Sequence, residues 1–231
     1  MKESYGGTLP RLDLSSLPGT LIVIEGPDCA GRTTQGDLVS RWLEQKGYAV
    51  ARTGLARSRL AGRSLRRAKT GNMLTQKTMS LFYATDFYDQ LENTVIPALR
   101  SGLVVLADRW IYTLIARDVV RGADRDWVKR MYSMALVPQA VYYLDAPPRT
   151  LVERTLARYS RLNYWEAGMD LGSPGDWYEG FIGYQKRLRT EFSRLREEYG
   201  FERVNANRGA AAVFGELKEK IGAMLVNGGT R

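Results

Sequence analysis

The stretch Leu21–Thr34, L-I-V-I-E-G-P-D-C-A-G-R-T-T, decides the fold. Four consecutive apolar residues read as a strand covered on both faces. A short loop bounded by Gly26 and Gly31 follows, and a helix-like segment begins at Thr33. This is the setting in which G-x-x-x-x-G-[K]-[ST] acts as a phosphate-binding loop. Glycine lets the backbone bend until its N–H groups converge on anionic oxygens, and the helix N-terminus adds partial positive charge. Gly26, Pro27, Cys29, Ala30, Gly31, Arg32, Thr33 and Thr34 are therefore candidate nucleotide-phosphate contacts, with Thr33 a candidate Mg²⁺ ligand. Binding of a nucleoside triphosphate is the leading expectation.

The loop departs from the pattern at one position, where Arg32 replaces lysine. Arginine keeps the charge and grips two oxygens through a planar fork, whereas lysine is a compact point charge. Two readings stay open: a working arginine variant, and a loop that binds nucleotide with weak or no turnover. Asp28, inside the loop, can orient an acceptor or a metal-bound water, or serve only as a turn residue.

Working outward, apolar runs at 103–107 and 140–144 read as further buried strands, with shorter ones near 48–53 and 201–204. Helical patterns fill 33–45, 57–69, 126–136, 148–158, 176–199 and 211–225. A long helical pattern over 74–100 turns Phe82, Leu91 and Ile96 inward and is kinked near its end by Pro97. Alternation of strands and helices implies an α/β, three-layer fold around a central, mainly parallel sheet. Residues 1–18 read as a loosely packed extension and 19–231 as a single domain. The polar, aromatic and glycine-bearing run at 159–175 reads as a mobile lid or a loop, with a lid segment near 154–175. Ligands of such sheets bind at the carboxyl ends of strands, where Gly26 and Asp108 both lie.

Composition narrows the chemistry. The chain has no histidine and one cysteine, which excludes histidine-based triads and an internal disulfide framework. Cytoplasmic location is the default expectation. No apolar stretch approaches membrane-spanning length, and the opening residues lack a secretory apolar region. The net charge of +9 admits a nucleic-acid partner. Its arginines, however, form two separated clusters, at 52–67 and 149–161, which better suit the phosphates of a small ligand.

Two further groups carry candidate chemistry. Asp108-Arg109 closes the strand at 103–107: the aspartate can hold Mg²⁺ through water, and the arginine can grip an anionic acceptor. Arg154 and Arg158 lie one helical turn apart before the lid and can close over the triphosphate, or merely line a solvated helix face.

Four motifs in order resemble the thymidylate kinase family from Leu21 to about Leu225. Glu25–Gln35 (E-G-P-D-C-A-G-R-T-T-Q) is similar to the family's E-G-x-D-G-x-G-K-T-T-Q, and Leu81–Asp86 (L-F-Y-A-T-D) to its L-F-A-A-x-R. Ala107–Trp110 (A-D-R-W) resembles its D-R-Y, and Tyr143–Pro148 (Y-L-D-A-P-P) the strand leading into the lid. The resemblance implies a P-loop nucleoside monophosphate kinase-like fold, ATP as phosphoryl donor, Mg²⁺, and dTMP as the default acceptor. It places Asp28 and Arg109 near the acceptor's sugar and phosphate, Phe82 on its base, and Arg154 and Arg158 in the lid. A homodimer is compatible with it, and the sequence leaves the oligomeric state open. The family's lysine is Arg32 here, the arginine four residues after Phe82 is Asp86, and its A-Y-Q is replaced at Ala116-Arg117-Asp118. Its T-R-E-P-G has no clear counterpart, although Arg57 can serve that purpose. Asp86 and Arg117 are therefore read as acceptor-side residues, and Asp86 would favour a group presenting donors. A different nucleotide, a nucleoside or another small phosphate acceptor stays open on that ground.

Overall fold

Leu21, Ile22, Val23 and Ile24 are each at most 1% exposed, and they form the body of β1 (Thr20–Glu25). The remaining strands are β2 (Val50–Gly54), β3 (Val104–Asp108), β4 (Ala140–Asp145) and β5 (Glu202–Asn205). They form one five-stranded sheet in the order β2-β3-β1-β4-β5. β2 runs parallel to β3 with Gly54 opposite Asp108, and β4 runs parallel to β5 with Asp145 opposite Asn205. A strand flanked on both edges and both faces has no solvated side, which is why β1 and β3 are apolar at successive positions. This computed structural model describes residues 3–7, 9, 13–71, 74–158, 164–165, 168–171 and 177–228.

The helices are α1 (Arg32–Gln45), α2 (Gly62–Gly71), α3 (Gln76–Gln90), α4 (Ile96–Arg100), α5 (Ile111–Val120), α6 (Arg125–Met131), α7 (Pro148–Arg158), α8 (Trp177–Tyr199) and α9 (Ala210–Gly228). The long pattern over 74–100 is α3 and α4 joined by a π-helical turn, Leu91–Val95. Pro97 cannot donate a hydrogen bond and its ring crowds the carbonyl four residues back. The wider turn before it, closed by the Ile96 N–H on the Leu91 carbonyl, lets the chain pass into α4 without breaking. Leu91, Val95 and Leu99 stay fully buried across the join, whereas Phe82 is only half-buried.

Three expectations change. The pattern at 57–69 becomes helical only from Gly62: the Ser58 N–H is taken by Asp86, and the Ser58 hydroxyl accepts from the Ala61 N–H. Helix α6 stops at Met131, and residues 133–137 instead pair antiparallel with residues 3–7. The extension is thus tied down at its start by main-chain bonds from Tyr5 to Ala135 and Gly7 to Ser133. Helix α5 was not read from the sequence, although Ile111, Leu114 and Ile115 recur at helical spacing; Ile111–Ala116 are all buried.

The chain groups into two compact units. The first, residues 1–23 and 40–139, packs Phe87 edge-on against Tyr88, Trp110 and Tyr132 at ring separations of 5.3, 4.8 and 5.6 Å. The second, residues 24–39 and 140–231, stacks Tyr143 on Phe192 at 5.0 Å. In it Asp145, at the end of β4, accepts from Arg189 Nε and Nη2 (2.9 and 3.0 Å) and from Arg203 Nε (2.7 Å). Burial alone would raise this carboxyl, but the two guanidinium partners outweigh it and hold it below the usual range.

Asp118, on α5, is a buried carboxyl pushed up to about 6, first by desolvation and against the pull of Ser80, Arg121 and Arg117. Its folded value lies above the unfolded one, so its stabilising contribution is present at low pH and is lost as pH rises through 6. Asp118→Asn should therefore raise unfolding free energy at pH 7 by about 1–3 kcal/mol. Urea titrations should show that gain shrinking as pH falls from 6 towards 4.

Candidate active site

Past Glu25 the chain turns sharply at Gly26 (φ 148°), where a Cβ would stand 2.8 Å from the Leu144 carbonyl oxygen. Only glycine fits there. Cys29 (φ 62°) and Gly31 (φ 98°) are also left-handed, and a Cβ on Gly31 would meet nothing within 4 Å. Alternation of right- and left-handed residues curls successive N–H groups inward and makes an anion-binding concavity. Helix α1 starts directly after it, with the Gln35 N–H donating to the Gly31 carbonyl at 2.9 Å. Thr33 and Thr34 are exposed on its first turn.

Arg32 behaves otherwise. It is 7% exposed, and its Nη1 donates to the Gly26 and Pro27 carbonyls while Nη2 lies 3.5 Å from Asp28 Oδ1. A branched guanidinium can serve these acceptors together, so the residue braces the loop from beneath and adds its charge there. Glu25 is fully buried, and its Oε2 accepts from the Gly26 N–H at 3.3 Å.

A cavity of about 360 Å³ opens beside the loop, within the same unit. Residues 29–31 form one wall, Thr34 and Gln35 of α1 another, and Arg154 with residues 206–213 the rest. Gln35 Nε2 donates to the Ala210 carbonyl (2.9 Å) and Arg154 Nη2 to the Ala206 carbonyl (3.0 Å). Arg208 Nε donates to the Asn205 carbonyl at 3.0 Å. The space is of the size that holds a small heterocycle. Sequence reasoning placed Arg154 over the triphosphate and missed the wall at 206–210. Its signal was the N-A-N-R-G turn leaving β5 at a strand's carboxyl end. The side chain of Arg158 lies outside the described residues, as does most of the lid expected at 159–175.

The acceptor-side candidates belong to the first unit. The guanidinium of Arg57 lies 3.6 Å from Asp108 Oδ2. A Cβ at Gly54 would crowd both the Asp108 carbonyl (2.8 Å) and Arg57 Nε (3.2 Å). Arg109 follows β3 in a left-handed conformation (φ 76°), a strained arrangement for a large side chain. Phe82 is half-buried one helical turn before Asp86, and Arg117 is half-buried on α5, its carbonyl accepting from Arg121 Nη1 at 3.2 Å. Asp86 departs from the sequence reading. It has no exposed surface, and its oxygens accept from the main chain of Ala56 and Ser58 and from Gln90. Burial pushes this carboxyl up, while the Ser58 and Ala56 amides and Gln90 pull it back. It offers no face to a ligand.

A loop of converging amides at a strand-to-helix junction, with a base-sized cavity beside it, defines a P-loop nucleotide-binding protein of the nucleoside monophosphate kinase type. The thymidylate kinase pattern matches residues 24–166. The chain is 37% identical over 210 residues to a probable thymidylate kinase 2 of Saccharolobus solfataricus, covering 90% of this chain and 98% of that one. It is 32% identical over 192 residues to a probable thymidylate kinase of Pyrococcus horikoshii (80% and 87%), and 29% over 216 to the thymidylate kinase of Shouchella clausii (90% and 97%). The chain belongs to the thymidylate kinase family.

Two outcomes test the loop and cavity. A non-glycine residue in the left-handed region costs about 1–2 kcal/mol, so Cys29→Gly should raise unfolding free energy by about 1 kcal/mol in urea titrations. A Cβ at Gly209 meets nothing within 4 Å. Gly209→Phe should therefore fold normally, fill the cavity and raise the KM for ATP about tenfold or more, with the acceptor KM unchanged.

Proposed function

We propose that the chain transfers the γ-phosphoryl group of ATP to dTMP, giving ADP and dTDP. The observation that carries this reading is the amide-lined loop Gly26–Thr33 opening beside the cavity walled by residues 206–213, in a chain of the thymidylate kinase family. The cavity takes the adenine end of ATP and the loop takes its phosphates. Transfer of a phosphoryl group needs little covalent chemistry from a protein, so positioning and charge neutralisation are the main tasks.

The donor phosphates lie on the loop amides above Arg32, whose positive charge is fixed by its bonds to Gly26 and Pro27. Arg154, at the cavity wall, supplies further positive charge towards the donor. Arg57 and Arg109 grip the acceptor's phosphate, and Phe82 presents an aromatic face to its base. Asp28 is assigned to the acceptor's sugar side by the family resemblance, and Arg117, which stands where the family has its A-Y-Q, is read as an acceptor-side residue. Mg²⁺ suits the oxygen donors present: the exposed hydroxyl of Thr33, and the carboxylate of Asp108 acting through water. Among the described residues no three His, Cys, Asp or Glu side chains cluster as a metal cage. Mg²⁺ held mainly by phosphates and water needs none. When bound, the ion would neutralise charge on the transferring group. A homodimer and a cytoplasmic setting belong to this proposal as well. Among the described residues no helix is long and apolar enough to cross a membrane.

Purified protein with Mg-ATP and dTMP should release ADP and dTDP, and EDTA should stop it. Silence with dTMP but turnover with another monophosphate would reassign the acceptor. Arg32→Ala should lower kcat by about 10²–10³-fold, since the loop loses both its brace and the positive charge placed there in advance. An unchanged kcat would remove Arg32 from the machinery.

A further inference from the structure

The loop carrying Arg57 is held by a chain of buried hydrogen bonds that nothing in the reaction requires directly. Asp86 Oδ2 accepts from the Ala56 N–H at 2.7 Å, and Oδ1 from the Ser58 N–H at 3.0 Å. The two bonds bracket Arg57, whose own side chain is exposed and reaches Asp108 at 3.6 Å. Gln90, one turn further along α3, donates from Nε2 to Asp86 Oδ2 at 2.9 Å. Its Oε1 accepts from Thr53 Oγ1 at 2.8 Å and the Gly54 N–H at 3.4 Å. The loop so held is not one the chain would adopt by itself. Ala56 is left-handed at φ 59°, which an alanine resists. The Ala56 carbonyl is capped from the other side by Arg66 Nη1.

We infer that Asp86 is a positioning residue for the acceptor phosphate: it fixes the Ala56–Ser58 turn so that the guanidinium of Arg57 stands ready for an anion. The inference rests on the kinase reading above, and it deepens that reading by naming how the acceptor grip is built. A buried carboxylate with no solvent contact is retained only where donors satisfy it. Here the two main-chain donors are those on either side of the exposed arginine. An arginine at this position, as the family pattern has it, would present donors to those N–H groups and leave them unsatisfied. The exchange to aspartate therefore converts the position from one that can read a ligand into one that organises a neighbour.

The test is a double-mutant cycle on dTMP affinity, read both by equilibrium titration and as KM. Arg57→Ala should weaken dTMP by about 30-fold and Asp86→Ala by about 10-fold, with the Kd for ATP unchanged in each. The double variant should be no weaker than Arg57→Ala alone, since Asp86 acts through Arg57. Additive losses, about 300-fold together, would overturn the inference and return Asp86 to an independent role. A loss for Asp86→Ala that changes with the acceptor base would also overturn it. If Asp86→Ala does not fold, Asp86→Asn serves the same cycle, keeping one acceptor oxygen for the turn and predicting a smaller, equally non-additive loss. dTMP binding with the expected coupling but no turnover would fail the kinase reading alone. Turnover without coupling would fail the inference alone, and absence of dTMP binding in the unsubstituted protein would fail both.

Discussion

A multiply charged phosphate held by main-chain N–H groups imposes the constraint on which much of this structure depends. The amides must converge, so the chain must turn left-handed at Gly26, Cys29 and Gly31 within six residues. That turn must then be anchored to something that does not yield. The anchor before it is a strand with no exposed residue from Leu21 to Glu25, and the anchor after it is the first turn of α1. The contact of Gly26 with the Leu144 carbonyl leaves no room for a side chain, so the approach of β4 fixes the residue type as firmly as the ligand does. Arg32 closes the arrangement by donating to the Gly26 and Pro27 carbonyls of the loop itself.

The acceptor-side residues obey a related logic with side chains in place of amides. Arg57 is exposed and long, and beyond its 3.6 Å pairing with Asp108 a side chain of that kind samples many rotamers. Its usefulness depends on where its backbone is held, which is decided by Asp86 and Gln90 on α3 rather than by Arg57 itself. Placing the fixing carboxylate inside the protein excludes water from the bonds and makes each stronger. It also removes any competition between Asp86 and the incoming phosphate, since a carboxylate with no surface is shielded from it. Gly54 completes the pattern, because any larger residue would push the Asp108 carbonyl and the Arg57 guanidinium apart.

Features set by local physics were legible in the sequence, and those set by tertiary partners were not. The runs at 21–24, 103–107 and 140–144 announced strands because a doubly covered strand has no polar face to hide. The glycine loop announced itself because its spacing is dictated by the phosphate. Helix α5 was passed over although Ile111, Leu114 and Ile115 recur at helical spacing: it is short, and it follows directly on the Asp108-Arg109-Trp110 close of a strand. The cavity wall at 206–210 was missed since its ring of contacts, from Gln35 to Ala210 and from Arg154 to Ala206, joins residues 52 to 175 positions apart and runs through carbonyl oxygens that every residue possesses. Asp86 was seen as an acceptor-side residue, but its partners were not. A charged residue in a motif suggests a ligand, and only coordinates reveal that its donors are the amides of a turn 28 to 30 residues earlier.

The substitutions at 32 and 86 then have a common physical description. In each case a residue that the family pattern would aim at a ligand is aimed at the protein's own backbone: Arg32 at two carbonyls, Asp86 at two N–H groups. The signs are complementary, since a cation takes carbonyls and a carboxylate takes amides. Exchanging a mobile ligand contact for a buried backbone contact gives up adaptability and gains preorganisation, which matters most where catalysis rests on charge placed in advance. On this view the acceptor's phosphate is the part of the substrate most firmly specified, through Arg57. The base is left to half-buried Phe82 and to shape, so discrimination among pyrimidine monophosphates should depend more on packing than on a hydrogen bond from position 86.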